Sequence, residues 1–206
     1  GLKTSLGSFQ YSAQMLQRAT PIEGGIFKTA HFQTFTESTL PKDENGAPLP
    51  VDSLGTDWDL AYTEKTENSA SAYVTAGKIG GRVYVFDCGF KHLEFPNLIA
   101  WMRAVQAPHY VEGKASGKSA VQTLVNNGVP ATEVKITNGD KIARATLCTP
   151  FLEAGMILIH SRVYEKLLFA EGQGLINFPK NKHDDLADAF SQAVERLLIQ
   201  HQVFMF

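Results

Sequence analysis

Carboxylates stand at three separated points of this chain where a carboxylate is expensive. Asp59 lies in Thr56-Asp57-Trp58-Asp59-Leu60-Ala61-Tyr62, Glu112 in Tyr110-Val111-Glu112-Gly113-Lys114, and Asp184, Asp185 and Asp188 in His183-Asp184-Asp185-Leu186-Ala187-Asp188-Ala189. The first two interrupt short apolar runs that read as strands, and the third group opens a helix. An ionised carboxylate in such a place is costly unless something cationic gathers it. A divalent metal ion is the simplest common partner, and acidic oxygens suit the hard ions Mg²⁺ and Mn²⁺.

The elements that would position these acids follow an order. Strands are expected at 56–62, 70–78 and 82–87, the last two joined by Gly80-Gly81, a dipeptide suited to a two-residue hairpin turn. Helical spacing of Leu98, Met102 and Val105 predicts a helix over 95–105, followed by a short strand at 110–112. A helix at 118–126 ends at Gly128, strand 132–136 follows, then helix 141–152, strand 156–160 and a final helix over 183–200. Three antiparallel strands followed by β–α repeats describe a mixed-sheet α/β domain. The preceding residues carry Gly24-Gly25, Pro41, Gly46, Pro48 and Pro50 with little periodicity, so they read as a lead-in and a mobile loop at 40–53.

Composition narrows the class of protein. With 206 residues, 44% of them hydrophobic and 19% charged, the chain can bury one good core. A net charge of −2 excludes a passive coat on DNA, and any nucleic-acid contact must use a local basic face. Cys88 and Cys148 are far apart and form neither a disulfide framework nor a zinc motif. No apolar run approaches the roughly 20 residues needed to cross a bilayer, and the first residues do not read as a signal peptide, so a cytoplasmic setting is expected. Gly113-Lys114-Ala115-Ser116-Gly117-Lys118-Ser119 imitates a phosphate-binding loop but has three residues between its glycines where that loop needs four.

Four segments in order carry a resemblance: Trp58-Asp59-Leu60-Ala61, Val111-Glu112-Gly113-Lys114-Ala115-Ser116-Gly117, Gly139-Asp140-Lys141-Ile142-Ala143-Arg144-Ala145 and His183-Asp184-Asp185-Leu186-Ala187-Asp188-Ala189. Over about residues 56–197 the chain resembles the C-terminal nuclease domain of the large terminase subunit of tailed bacteriophages. Tyr11-Ser12-Ala13-Gln14-Met15-Leu16-Gln17-Arg18 and Glu23-Gly24-Gly25-Ile26-Phe27-Lys28 are similar to the passage from that family's ATPase domain into its nuclease. The resemblance implies a ribonuclease H-like fold, with residues 1–54 a lead-in from an ATPase domain and 55–206 the nuclease. It also implies metal-dependent cutting of concatemeric double-stranded viral DNA during packaging in the host cytoplasm, with the small terminase subunit and the portal as partners.

Hydrolysis of a phosphodiester by two Mg²⁺ or Mn²⁺ ions requires carboxylates that bridge and hold them. The resemblance assigns Asp59 as the bridging ligand, Glu112 to one ion, and Asp184 and Asp185 to complete the site. The residues themselves leave alternatives open. Asp57 shares a strand face with Asp59, Asp188 shares a helix face with Asp184 and Asp185, and His183 stands just before them. An acidic first turn could merely cap its helix, and Glu112 could merely pair with Lys114. Lys114, Lys141 and Arg144 are expected to contact DNA phosphates, which position a duplex without reading its sequence. Two other readings share these acids: a ribonuclease H-like resolvase or transposase, and a DNA-gripping or portal-docking module that does not cut.

Overall fold

The computed structural model describes residues 25–60, 70–135 and 140–199. Seven strands form one mixed sheet: β1 (Gln33–Phe35), β2 (Asp52–Asp59), β3 (Ser71–Ile79), β4 (Arg82–Lys91), β5 (His109–Glu112), β6 (Ala131–Val134) and β7 (Ile157–His160), in the order β1-β7-β4-β3-β2-β5-β6. β2, β3 and β4 run antiparallel, while β5 joins β2 and β7 joins β4 in parallel. All strands except β3 therefore point their C-terminal ends the same way. Gly80 and Gly81 have φ of 57° and 83°, the left-handed pair that a tight β3–β4 hairpin requires.

Helices cover both faces. α1 (Phe95–Arg103) and α2 (Ala115–Asn126) pack on one, with Leu98, Met102, Ala120 and Leu124 against Trp58 and Val111. α3 (Lys141–Glu153), α4 (Ser161–Phe169) and α5 (Asp185–Val194) belong to the larger cluster on the other, where Phe190, Leu186 and Ala189 meet Val74, Val85 and Ile159. α5 crosses β2, β3 and β4, and α3 lies along it. Such a three-layer arrangement brings the first turn of α5 to the sheet end where β2 and β5 finish.

Several boundaries differ from those expected. β2 starts at Asp52, inside the stretch read as loop, with a bulge between Asp52 and Gly55; Ala61 and Tyr62 lie outside the described residues. The rest of the stretch read as mobile packs Leu40, Leu49 and Val51 onto Phe35, Ile79, Tyr84 and Leu158. β4 runs on to Lys91, and α2 opens at Ala115, three residues before the expected start at Lys118. The final helix begins at Asp185 and becomes a π turn over Glu195–Ile199. β1 and α4 have no counterpart in the expected order. Residues of the expected lead-in are built into the sheet and core: Phe27 and Phe35 are buried, and β1 pairs with β7.

Candidate active site

Asp59 is the last residue of β2 and Glu112 the last of β5. Trp58 pairs with Val111 across these parallel strands, so the two acids finish side by side. The alternation of a strand turns Asp59 toward the α5 face while Trp58 enters the opposite core. Asp59 is 5% exposed, and its carboxyl is pushed up to about 8, first by burial and next by the Asp188 carboxylate. The ammonium groups of Lys114 and Lys141 act in the opposite direction.

The acids of α5 divide their contacts. Asp184, at the N-cap position, makes no capping bond; its Oδ1 accepts from Lys141 Nζ at 2.8 Å. Capping falls to Gln173, whose Oε1 accepts from the Leu186 N–H at 3.2 Å while its Nε2 donates to Asp185 Oδ2 at 2.7 Å. Burial raises the Asp185 carboxyl above the usual range, against the pull of Gln173. Asp188, one turn on, is buried between two cations: Arg144 Nη2 donates to Oδ1 at 2.7 Å, and Lys141 Nζ stands 2.6 Å from Oδ2. The second approach is an ion contact without hydrogen-bond alignment, so buried Oδ2 has no directed donor.

Lys114 Nζ lies 2.8 Å from Glu112 Oε2 and is itself 55% exposed. For Lys114 and Lys141 alike, burial disfavours the ammonium, yet the bonded carboxylates outweigh it and raise both above the usual lysine value. Among the described residues, no three acidic, histidine or cysteine side chains converge closely enough to hold an ion as they stand.

No protein-family model matches this sequence, and no curated protein does. Solved structures do match. The large terminase of a thermophilic bacteriophage, in complex with ADP, superposes with a TM-score of 0.51 at 16% identity, covering 85% of this chain and 45% of that one. The large terminase nuclease of thermophilic phage G20c with bound zinc gives 0.51 at 13% identity, covering 81% of this chain and 95% of that one. The fold is that of a large-terminase nuclease domain. The human cytomegalovirus terminase nuclease domain aligns less well, at a TM-score of 0.48 and 14% identity over 73% of this chain and 85% of that one. The chain spans less than half the length of the ADP-bound large terminase it matches.

Within this terminase-nuclease fold, the competing residues separate. Asp57, fully buried, is taken by Arg196: Nε lies 3.1 and 3.0 Å from Oδ1 and Oδ2, and Nη2 donates to Oδ2 at 2.8 Å. Arg196 also stacks over the Tyr110 ring, 4.1 Å from its centroid, and Gln192 Nε2 donates to Asp57 Oδ1 at 3.3 Å. The ring of His183 turns toward His92, with centroids 6.0 Å apart. Arg144, expected on a DNA-facing surface, is only 6% exposed and points into the acidic cluster. In this orientation the guanidinium is engaged with a buried carboxylate and not presented on the surface. Lys141 is likewise directed to Asp184 and Asp188, whereas Lys114, paired with Glu112, keeps a largely exposed side chain. Asp188, left outside the expected set, is electrostatically the nearest acid to Asp59. Its spacing from Asp184 and Asp185 was the one sequence signal that could have included it.

Proposed function

We propose that this chain is the nuclease part of a viral DNA-packaging motor, a metal-dependent endonuclease that cuts double-stranded DNA. The observation that carries the proposal is the gathering of Asp59, Glu112 and the α5 acids from three distant segments at one end of a terminase-nuclease sheet. Glu112, Asp184 and Asp188 have cationic partners, as Asp57 has Arg196, but no ion pair neutralises Asp59 among the described residues. Here Asp59 stays buried with a raised proton affinity, and Asp188 Oδ2 has no aligned donor. An all-oxygen set of this kind fits Mg²⁺ or Mn²⁺. The zinc bound in the G20c nuclease agrees with a divalent-ion site in this fold.

Asp59, Glu112, Asp184 and Asp185 would hold two ions, and Asp188 joins them on the strength of its position beside Asp59. Bound there, such ions polarise the phosphate and provide a nucleophile near neutral pH. The chain's own residues do the remaining work. Asp59 gives up its proton on binding, Arg144 holds Asp188 in place, and Gln173 fixes Asp185 while capping α5. Lys114, exposed beside Glu112, is placed to meet a backbone phosphate. Products with 5′-phosphate and 3′-hydroxyl ends, partnership with the small terminase subunit and the portal, and action in the host cytoplasm follow from this reading.

Cleavage of supercoiled plasmid in Mn²⁺, Mg²⁺ or EDTA tests it, with Asp59→Asn and Glu112→Gln alongside the parent. Metal-dependent nicking by the parent, lost in both variants, is the expected result. A parent that binds DNA yet neither cuts nor takes up Mn²⁺ would leave a gripping module instead.

A further inference from the structure

Lys141 stands apart from the other cations around the acids. It is the first residue of α3, directly after Asp140, whose Oδ1 caps the helix by accepting from the Ile142 N–H at 3.1 Å. The backbone at this point is thus fixed, and the long side chain is the movable part. Its Nζ reaches Asp184 Oδ1 at 2.8 Å and Asp188 Oδ2 at 2.6 Å, two acids one helical turn apart on α5. One ammonium thereby spans two carboxylates.

The contrast with Arg144 is in chemistry and access. Arg144 reaches Asp188 from within the protein and is 6% exposed, while the Lys141 side chain is 38% exposed. A guanidinium makes directed, planar bonds; an ammonium is a compact point charge that hydrates strongly and rotates freely. The missing alignment at Asp188 Oδ2 fits that distinction, since a point charge needs proximity but not direction. Arg144 is built to stay, and Lys141 has a path to water.

Asp59, Asp184, Asp185, Asp188 and Glu112 give five carboxyl groups against three cations, Lys114, Lys141 and Arg144, so removing Lys141 leaves Asp184 without its cation. A divalent ion on the Asp184 and Asp188 oxygens would be repelled by the ammonium that already sits on them, since like charges about 4 Å apart oppose each other strongly away from bulk water. We propose that Lys141 is a tethered counter-ion: it neutralises Asp184 and Asp188 in the metal-free protein, competes with the divalent ion for their oxygens, and swings out when the ion binds. This rests on the metal-dependent reading above and adds a regulatory term to it. The ion sees only the fraction of molecules in which the lysine has withdrawn, which lowers its apparent affinity by that fraction.

Titration calorimetry of the whole chain with MnCl₂, together with melting curves in EDTA and in Mn²⁺, tests the proposal on Lys141→Met and Lys141→Arg. Removing the competitor in Lys141→Met should tighten Mn²⁺ binding about tenfold or more. The same variant should melt lower than the parent in EDTA and gain more from Mn²⁺. Lys141→Arg, which keeps the charge and adds directed bonds, should bind Mn²⁺ more weakly than the parent, and it serves as the test should the methionine variant fail to fold. Equal or weaker binding by Lys141→Met, or equal or tighter binding by Lys141→Arg, overturns the counter-ion role while leaving the nuclease reading intact. Absence of Mn²⁺ binding in all three proteins removes both.

Discussion

Asp57 and Asp59 stand two residues apart on one face of β2, yet Arg196 takes the first in a bidentate pair while the second is left to face the acids of α5. Arg196 lies on the π turn that continues α5, so its bond to Asp57 fixes that helix against β2 and sets where Asp185 and Asp188 fall relative to Asp59. Breaking a buried ion pair by removing one partner strands the other charge. Asp57→Ala should therefore lose about 3–5 kcal/mol of stability. Urea denaturation of parent and variant measures it, and a loss below about 1 kcal/mol would show that Arg196 finds another partner.

Asp59→Asn should move stability the other way. The folded carboxyl titrates at about 8 against an ordinary 3.8, so its retained proton favours folding fully below about pH 4, and that contribution disappears as pH rises through 8. The parent, in EDTA, should lose stability between those limits, and the asparagine variant should not. The gap is expected to widen by up to about 1.4 kcal/mol for each pH unit between those limits. Parallel melting curves from pH 4 to 9 decide it: a gap that does not widen with pH means that Asp59 is ionised throughout.

Asp188→Asn and Glu112→Gln should both abolish cutting but part on stability. Asp188 neutralises a buried guanidinium, so its loss should cost roughly 2–4 kcal/mol. Glu112 pairs with a lysine that is 55% exposed, and its replacement should change stability by less than about 1 kcal/mol. Denaturation beside plasmid nicking separates an acid of the proposed site that also holds the fold from one that does not.

Gly117, in the first turn of α2, has no room for a side chain: a Cβ there would collide with the Glu112 carbonyl oxygen. Gly117→Ala must push α2 away from the end of β5 or carry Glu112 with it. A loss of about 1–3 kcal/mol is expected, together with weaker Mn²⁺ binding measured by calorimetry. Unchanged metal affinity would mean that the helix yields and Glu112 keeps its place.

The pattern of this chain made some of these relationships legible and hid others. The β-rich runs over β2, β3 and β4 and the Gly80-Gly81 turn pointed to the antiparallel start, because strand propensity and turn chemistry are local properties. Asp59, Glu112 and the α5 acids stood out because a charge at the end of an apolar run is anomalous wherever it occurs. The choice between Asp57 and Asp59 was not local: it depends on Arg196, which folds back from a distant part of the chain. Arg144 likewise read as a surface cation, since helical spacing from Lys141 gives a shared face but not what that face meets. β1, three residues long, is too short to announce itself by periodicity and exists because β7 offers it an edge.

Phe27 packs edge-on against Phe190, ring centroids 5.6 Å apart, and Phe178 and Phe32 lie within 6.3 Å of one or both. Phe190 is two residues beyond Asp188 on the same helix. In mechanical terms Phe27 presses on the rear of the helix whose front carries the acids. A displacement of Phe27 would be borne by that ring stack, and the lever arm from Phe190 to the Asp188 carboxylate is less than one turn of helix.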